Sequence, residues 1–145
     1  FTESSKPHTW LSNCGGSIGF ALPAATGAAM ACPDRKVIAL EGDGSGMYTL
    51  QSLWTIAREN LDVTILIFAN QSYKILHGEL NNVGVQNPGP SAINMLTLNN
   101  PNLDWVSLSK GMGIDAKKVY NTDQLYSIFK DALNSKGPFL IEVMI

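Results

Sequence analysis

From residue 37 the chain reads Val37-Ile38-Ala39-Leu40-Glu41-Gly42-Asp43-Gly44-Ser45, an apolar run that ends in a glycine-rich turn. The apolar run at residues 37–40 predicts a short buried strand. Apolar residues then recur at helical spacing up to Arg58, which predicts an amphipathic helix. Residues 63–68 are apolar and rich in β-branched side chains, which predicts a second buried strand. A strand, a helix and a strand in this order favour a right-handed crossover within a parallel sheet.

The flanking sequence continues this alternation. Residues 15–30 are rich in Gly and Ala and predict a tight turn followed by a closely packed helix. Residues 122–135 predict an amphipathic helix capped by Thr122, and residues 139–145 predict a last strand. Residues 81–102 hold many Asn, Gly and Pro residues, and we interpret them as a long loop.

We therefore predict an α/β fold, a three-layer doubly wound domain with a mainly parallel sheet and helices on both faces. The 145 residues, 45% hydrophobic and 15% charged, fit a single folded domain over residues 1–145. Trp54 and Trp105 lie among apolar residues and are predicted to anchor the core. The chain begins at Phe1 in polar sequence and stops on an apolar run, so we expect it to be a piece of a longer polypeptide.

Charge and composition exclude several classes of partner. The net charge of -2 gives no electrostatic reason to expect nucleic acid or a membrane surface. No apolar run reaches the roughly 18 residues that a membrane-spanning helix needs. The only cysteines, Cys14 and Cys32, are interpreted as free thiols, which favours a cytoplasmic protein.

Two polar clusters follow the two predicted strands, residues 42–45 after the first and residues 70–72 after the second. In parallel sheets, ligands bind beyond the carboxyl ends of the strands. Backbone N–H groups of the glycine-rich turn would favour a phosphate, and a divalent cation would remove the repulsion between that phosphate and Asp43. Mg²⁺ prefers oxygen ligands, and Asn70 would add a neutral one. Each cluster alone has a plainer interpretation, because Gly-Asp-Gly is most often a turn and Asn after a strand is often a cap.

The whole pattern resembles a known family. Residues 41–73 resemble the fingerprint of thiamine-diphosphate enzymes, in which Gly-Asp-Gly is followed some two dozen residues later by Asn-Asn. Residues 15–25, 43–55 and 136–143 resemble the matching stretches of benzoylformate decarboxylase and acetolactate synthase. The chain is thus identified as similar to the C-terminal diphosphate-binding domain of that group.

The resemblance implies a role for each matching residue. Thiamine diphosphate and Mg²⁺ would be the cofactors, with Asp43, the side chain of Asn70 and the backbone carbonyl of Ser72 as metal ligands. The remaining residues would contact the cofactor: Gly42, Gly44 and Ser45 at the diphosphate, Gly16 at the aminopyrimidine, Ile18 as the apolar prop that bends the cofactor, and Tyr73, Lys74 and Ile75 along the diphosphate and thiazolium.

The resemblance also implies what the rest of the enzyme does. The parent would decarboxylate or ligate 2-oxo acids, as a homodimer or homotetramer with active sites between subunits. No residue here matches the activating glutamate of the family, which lies on a pyrimidine-binding domain, usually of a neighbouring subunit, so no catalytic residue is expected in this chain. Two positions depart from the pattern: Ala69 replaces the first Asn of the usual pair, and Leu76 stands where pyruvate decarboxylase-like members carry a catalytic Glu.

Two other functions stay open from the sequence. One is a non-catalytic module that binds a diphosphate ligand or a partner domain. The other is an ordinary nucleotide-binding doubly wound domain, although no obvious strand precedes residues 15–19 as a dinucleotide fingerprint would require.

His77 lies just past the second polar cluster, and a surface or capping role is its plainer interpretation.

Overall fold

A computed structural model describes residues 4–145. A 3₁₀ turn, Cys14–Gly16, precedes the regular elements. The helices and strands then follow in the order α1 Ala21–Ala31, β1 Val37–Gly42, α2 Asp43–Gly46, α3 Ser52–Arg58, β2 Val63–Ala69, α4 Lys74–Asn82, α5 Pro90–Leu96, α6 Trp105–Gly111, β3 Asp115–Val119, α7 Thr122–Asn134 and β4 Phe139–Met144.

The four strands form one sheet in the order β1-β2-β4-β3, and every neighbouring pair is parallel. β2 and β4 lie at the centre, and β2 is buried along almost its whole length. A strand covered on both faces needs apolar residues at successive positions, which is the reason that residues 63–68 do not alternate with polar ones. The predicted α/β fold with a parallel sheet is confirmed.

Helices cover both faces of the sheet, which gives the three predicted layers. α1, α3 and α6 pack on one face, where the largest fully buried side chain is that of Trp105. α7 packs on the other face through Leu125, Ile128 and Phe129. Alternate residues of β2 therefore pack into different cores, Ile65 into the first and Leu66 into the second.

The interpretation of residues 81–102 as one long loop is wrong. α4 continues to Asn82, and α5 occupies Pro90–Leu96 with the proline at its start. Pro fits the first helical turn because the N–H it lacks has no partner there. Neither α4 nor α5 contains a buried residue, so both helices lie on the rim of the domain.

Three smaller predictions have mixed outcomes. The cap of α7 is Asn121, not Thr122, because the Asn121 side chain accepts a hydrogen bond from the backbone N–H of Gln124. Trp105 is fully buried as predicted, whereas Trp54 is 52% exposed and carries Arg58 over its ring. Both cysteines are free.

No helix within residues 4–145 is long and apolar enough to cross a membrane.

Candidate functional site

β1 and β2 end side by side, and the predicted metal ligands lie at these ends. Gly42 pairs with Phe68 in the last register of the two strands. Asp43 follows directly as the first residue of α2, and Asn70 follows β2. The crossover between the two strands therefore brings both polar clusters to one edge of the sheet, as the sequence predicts.

The Asp43 carboxylate is the most buried polar group at this edge, with 2% of the residue exposed. Its Oδ1 accepts a hydrogen bond from the backbone N–H of Gly44 at 2.9 Å, and its Oδ2 accepts one from the backbone N–H of Gln71 at 2.6 Å. Burial raises the pKa of Asp43, while the backbone hydrogen bonds from Gln71, Gly44 and Asn70 act in the opposite direction. None of the ion pairs within the described part of the chain involves Asp43.

The second cluster is folded around the Asn70 side chain. Asn70 Oδ1 accepts a hydrogen bond from the backbone N–H of Ser72 at 3.0 Å, and Gln71 between them has a left-handed φ of 55°. The Ser72 hydroxyl donates to the carbonyl of Leu96 at 3.1 Å, and Ser72 also pairs with Thr97 in an isolated bridge. Residues at and just after the end of α5 thus hold Ser72, next to Gln71, whose N–H bonds to Asp43.

The oxygen chemistry of this edge suits Mg²⁺. Within residues 4–145 no group of three or more His, Cys, Asp or Glu side chains could hold a metal ion. The edge instead offers one carboxylate, one amide oxygen and backbone carbonyls, and Mg²⁺ commonly takes one or two carboxylates and completes its shell with substrate phosphates and water. A cation would also offset the buried charge of Asp43. The residues present therefore fit the ion that the sequence suggests.

Two glycines of the turn, Gly44 and Gly46, leave no room for a side chain. A Cβ on Gly44 would lie 2.7 Å from Cδ1 of Tyr73, and one on Gly46 would lie 2.7 Å from Cη2 of Trp105. Gly42 differs, since a Cβ there would meet nothing within 4 Å. The rings of Tyr73 and Trp105 therefore pack against the turn at Gly44 and Gly46. The turn is open at Gly42, where a ligand could approach.

The glycine-rich loop of residues 15–19 contacts this turn. The backbone N–H of Gly19 donates to Ser45 Oγ at 2.8 Å. Gly16 is exposed with a φ of 67°, and Ile18 is 45% exposed. The structure thus brings the predicted aminopyrimidine side of the site next to the predicted diphosphate side.

The three residues after Ser72 have different surroundings. Tyr73 is half-buried and packs edge-on against Tyr48, with ring centroids 6.5 Å apart. Ile75 is 65% exposed. Lys74 lines a cleft of about 500 Å³ whose other lining residues are Asn70, Ser72, His77, Asn81 and Ile145.

Sequence reasoning missed the supporting residues of the site. Gln71 fixes Asp43 through its backbone N–H, which no side-chain pattern could reveal. Glu41 and Thr49 hydrogen-bond to the backbone on either side of Phe20. A buried Glu in an otherwise apolar strand was the available signal for Glu41, since such a group needs a partner.

Comparison with known proteins agrees with this geometry. Residues 1–143 match the family described as "Thiamine pyrophosphate enzyme, C-terminal TPP binding domain". The chain therefore belongs to this family, and the resemblance drawn from the sequence is confirmed.

Individual relatives come from two kinds of enzyme. A Mycobacterium tuberculosis protein named "Putative acetolactate synthase large subunit IlvX" is 45% identical over 145 residues, which cover 99% of this chain and 28% of that protein. Benzoylformate decarboxylase of Pseudomonas aeruginosa is 33% identical, with 97% and 25% covered. The solved thiamine diphosphate-dependent 4-hydroxybenzoylformate decarboxylase of Rhodococcus jostii RHA1 superposes with a TM-score of 0.78 at 37% identity, with 88% and 23% covered. The chain thus spans about a quarter of the length of these relatives.

Proposed function

We propose that this chain anchors thiamine diphosphate through Mg²⁺ within an acetolactate synthase-like enzyme that decarboxylates or ligates 2-oxo acids. The observation that carries the proposal is the Asp43 carboxylate, which is buried at the joint ends of β1 and β2 and lacks an ion-pair partner within residues 4–145. A buried charge is costly without a compensating charge, and a bound cation would supply one. Family membership and the names of the relatives support the same cofactor and the same class of substrate.

The metal would be held by oxygen atoms from both polar clusters. Asp43 and Asn70 would bind through their side chains and Ser72 through its backbone carbonyl. Within residues 4–145, Asn70 Oδ1 accepts one hydrogen bond, from Ser72, and a carbonyl-type oxygen has a second lone pair for a cation. Gly42, Gly44 and Ser45 would surround the diphosphate, whose charge the ion would balance.

The other half of the cofactor would lie along the glycine-rich loop. Gly16 would accept a hydrogen bond from the aminopyrimidine through its carbonyl, and the exposed Ile18 would support the bend of the cofactor. Tyr73, Lys74 and Ile75 would line the diphosphate and thiazolium region. The exposure of Ile18 and Ile75 supports these roles, since a contact to a ligand needs accessible atoms.

When bound, the cofactor supplies the electron sink for breaking or forming a carbon–carbon bond next to a carbonyl group. The residues of this chain orient it and neutralise its diphosphate. We assign no proton transfer to them, because the activating glutamate would be provided by a pyrimidine-binding domain.

Exposed apolar surface on and next to α4 and α5 supports an interface with a partner domain. Val83 is 73% exposed and Met95 is 77% exposed, and both line an apolar groove of about 340 Å³ between the two helices. Contiguous exposed apolar surface commonly marks a protein interface. The pyrimidine-binding domain is the partner we propose for this groove, in a homodimer or homotetramer. The cytoplasmic location stays a prediction.

Calorimetric titration of thiamine diphosphate, with and without Mg²⁺, tests the proposal. Wild-type protein should bind only with the metal, and Asp43→Ala should weaken binding at least about tenfold. Asp104→Ala is a matched control, because Asp104 also accepts a backbone N–H at a helix start, from Ser107, but lies in a different part of the chain. Binding that is indifferent to both metal and Asp43→Ala would overturn the site assignment.

A further inference from the structure

Three side chains connect the two loops that the proposed function assigns to opposite ends of the cofactor. Ser45 Oγ accepts from the backbone N–H of Gly19 at 2.8 Å. Thr49 Oγ1 donates to the backbone carbonyl of Gly19, also at 2.8 Å. Glu41 Oε2 accepts from the backbone N–H of Ala21 at 2.9 Å. All three bonds span 20 or more residues of sequence and join the glycine-rich loop to the segment around Asp43.

Gly19 is the point where the two segments are pressed together. It is buried and has a φ of 82°, so its backbone conformation favours glycine. A Cβ at this position would lie 2.9 Å from Cβ of Tyr48 and 3.0 Å from Cγ2 of Thr49. Both polar backbone groups of Gly19 bond to side chains of the facing segment, so the loop is joined to this segment through both groups.

Glu41 likewise joins the two segments, through a hydrogen bond at the start of α1. The residue that precedes α1, Phe20, has no side chain that can cap the helix. The first N–H groups of a helix lack partners within it and carry partial positive charge. The Glu41 carboxylate, 9% exposed and two residues before Asp43, accepts the hydrogen bond from Ala21. The strand that leads to the proposed metal ligand thereby also holds the end of the glycine-rich loop.

We propose that Glu41, Ser45 and Thr49, here called the Gly19 clamp, set the position of the aminopyrimidine-binding loop relative to the diphosphate-binding turn. Glu41 and Thr49 are positioning residues, because they act on the cofactor through the backbone of residues 19–21. Ser45 has two roles, since its oxygen accepts from Gly19 while its own O–H, which has no acceptor within residues 4–145, is left to donate to the diphosphate. This inference rests on the proposed function and adds a mechanism of preorganisation to it.

The clamp predicts different effects on the whole cofactor and on its diphosphate half. Magnesium diphosphate needs only the edge around Asp43, whereas magnesium thiamine diphosphate also needs the glycine-rich loop in place. Thr49→Val removes one hydroxyl donor at nearly constant volume. It should weaken binding of magnesium thiamine diphosphate about tenfold and change binding of magnesium diphosphate less than about twofold.

Two further variants separate positioning from general stability. Thr49→Ser keeps the hydroxyl and should restore most of the lost affinity. Thr26→Val removes a similar bond, from Thr26 Oγ1 to the carbonyl of Leu22 at 2.9 Å, but within α1, and should leave both affinities unchanged. An equal loss for both probes in Thr49→Val, or no loss for either, would overturn the positioning role.

Amide hydrogen exchange tests the clamp without any ligand. Ser45→Ala should speed exchange of the Gly19 amide, and Glu41→Leu should speed exchange of the Ala21 amide, while Glu41→Gln, which keeps an acceptor oxygen, should protect Ala21. Unchanged exchange in Ser45→Ala and Glu41→Leu would overturn the clamp itself. A wild-type chain with protected Gly19 and Ala21 amides that binds neither probe would instead overturn the proposed function and, with it, the positioning role.

Discussion

Gln71 donates its backbone N–H to Oδ2 of Asp43 over 2.6 Å and so joins the ends of β1 and β2. Gln71 has a left-handed φ, and its neighbours Asn70 and Ser72 are joined by a hydrogen bond from the Ser72 N–H to Asn70 Oδ1. The two proposed ligands from the second cluster are therefore held by backbone geometry and not by their own side chains alone. Substitutions at these ligands should then affect metal binding more than folding.

Asn70→Ala should remove most of the Mg²⁺ dependence of cofactor binding. The side chain is exposed and makes one hydrogen bond to the described part of the chain, so its loss should cost the fold little, while the metal loses an oxygen ligand. We expect at least about a tenfold loss of affinity for magnesium thiamine diphosphate by calorimetry. Asn70→Asp keeps the oxygen and should retain Mg²⁺-dependent binding. Equal affinities of wild type and Asn70→Ala would exclude Asn70 as a ligand, and exposed Asn134→Ala serves as the control.

Gly44→Ala should destabilise the turn through Tyr73. The new Cβ would lie 2.7 Å from one ring atom of Tyr73 and 3.0 Å from another, so the ring must move. We expect a loss of about 1–3 kcal/mol in the free energy of unfolding, measured by denaturant titration. In a Tyr73→Ala background the loss should fall below about 1 kcal/mol, because the obstacle is gone.

Gly27→Ala provides the matched control for this substitution. Gly27 lies inside α1, and a Cβ there would meet nothing within 4 Å. Alanine should stabilise the helix by about 0.5–1 kcal/mol, since glycine is a poor helix former. A loss at Gly27 as large as that at Gly44 would argue against the contact with Tyr73 as the cause.

The sequence predicts the site better than its surroundings, for physical reasons. The strand, the Gly-Asp-Gly turn and Asn70 are contiguous local signals, and the crossover rule for parallel strands places them together. α5 was missed because Pro, Gly and Asn dominate residues 81–102, although Pro90 starts a helix well. The bonds of Gly19 and Gln71 were missed because each joins a backbone atom to a side chain of a distant segment, and such pairs leave no periodic pattern.

The two tryptophans show that apolar neighbours in the sequence do not decide whether a side chain is buried, and this difference can be tested. Trp54 and Trp105 both lie in apolar sequence, yet Trp105 is fully buried and Trp54 is 52% exposed. Trp105→Ala should lower the free energy of unfolding by about 3–5 kcal/mol, because it empties the core beneath Gly46. Trp54→Ala should cost less than about 1 kcal/mol, chiefly its contact with Arg58. Denaturant titration of both variants measures the difference, and equal losses would contradict the described core.

Asp62 connects the beginnings of β1 and β2 and should set part of the acid stability of the fold. Its carboxylate pairs with Lys36, and its Oδ2 lies 3.3 Å from Nζ of the more exposed Lys136. Burial tends to raise the pKa of Asp62, but the hydrogen bonds and charges of Lys36 and Lys136 together outweigh this, so the pKa lies below its ordinary value of 3.8. The folded protein therefore holds this proton less tightly than the unfolded chain.

A lowered folded-state pKa means that the stabilisation from Asp62 is present above the unfolded-state pKa of 3.8 and is lost as the pH falls through the folded-state pKa. Asp62→Asn should thus lower the free energy of unfolding by about 1–2 kcal/mol near neutral pH. This difference from wild type should shrink as the pH falls below 3.8. Denaturant titrations across this range measure it, with Asp115→Asn as control, since Asp115 is exposed and joins none of the ion pairs of residues 4–145. A difference that stays constant with pH would show that the loss comes from packing and not from the carboxylate charge.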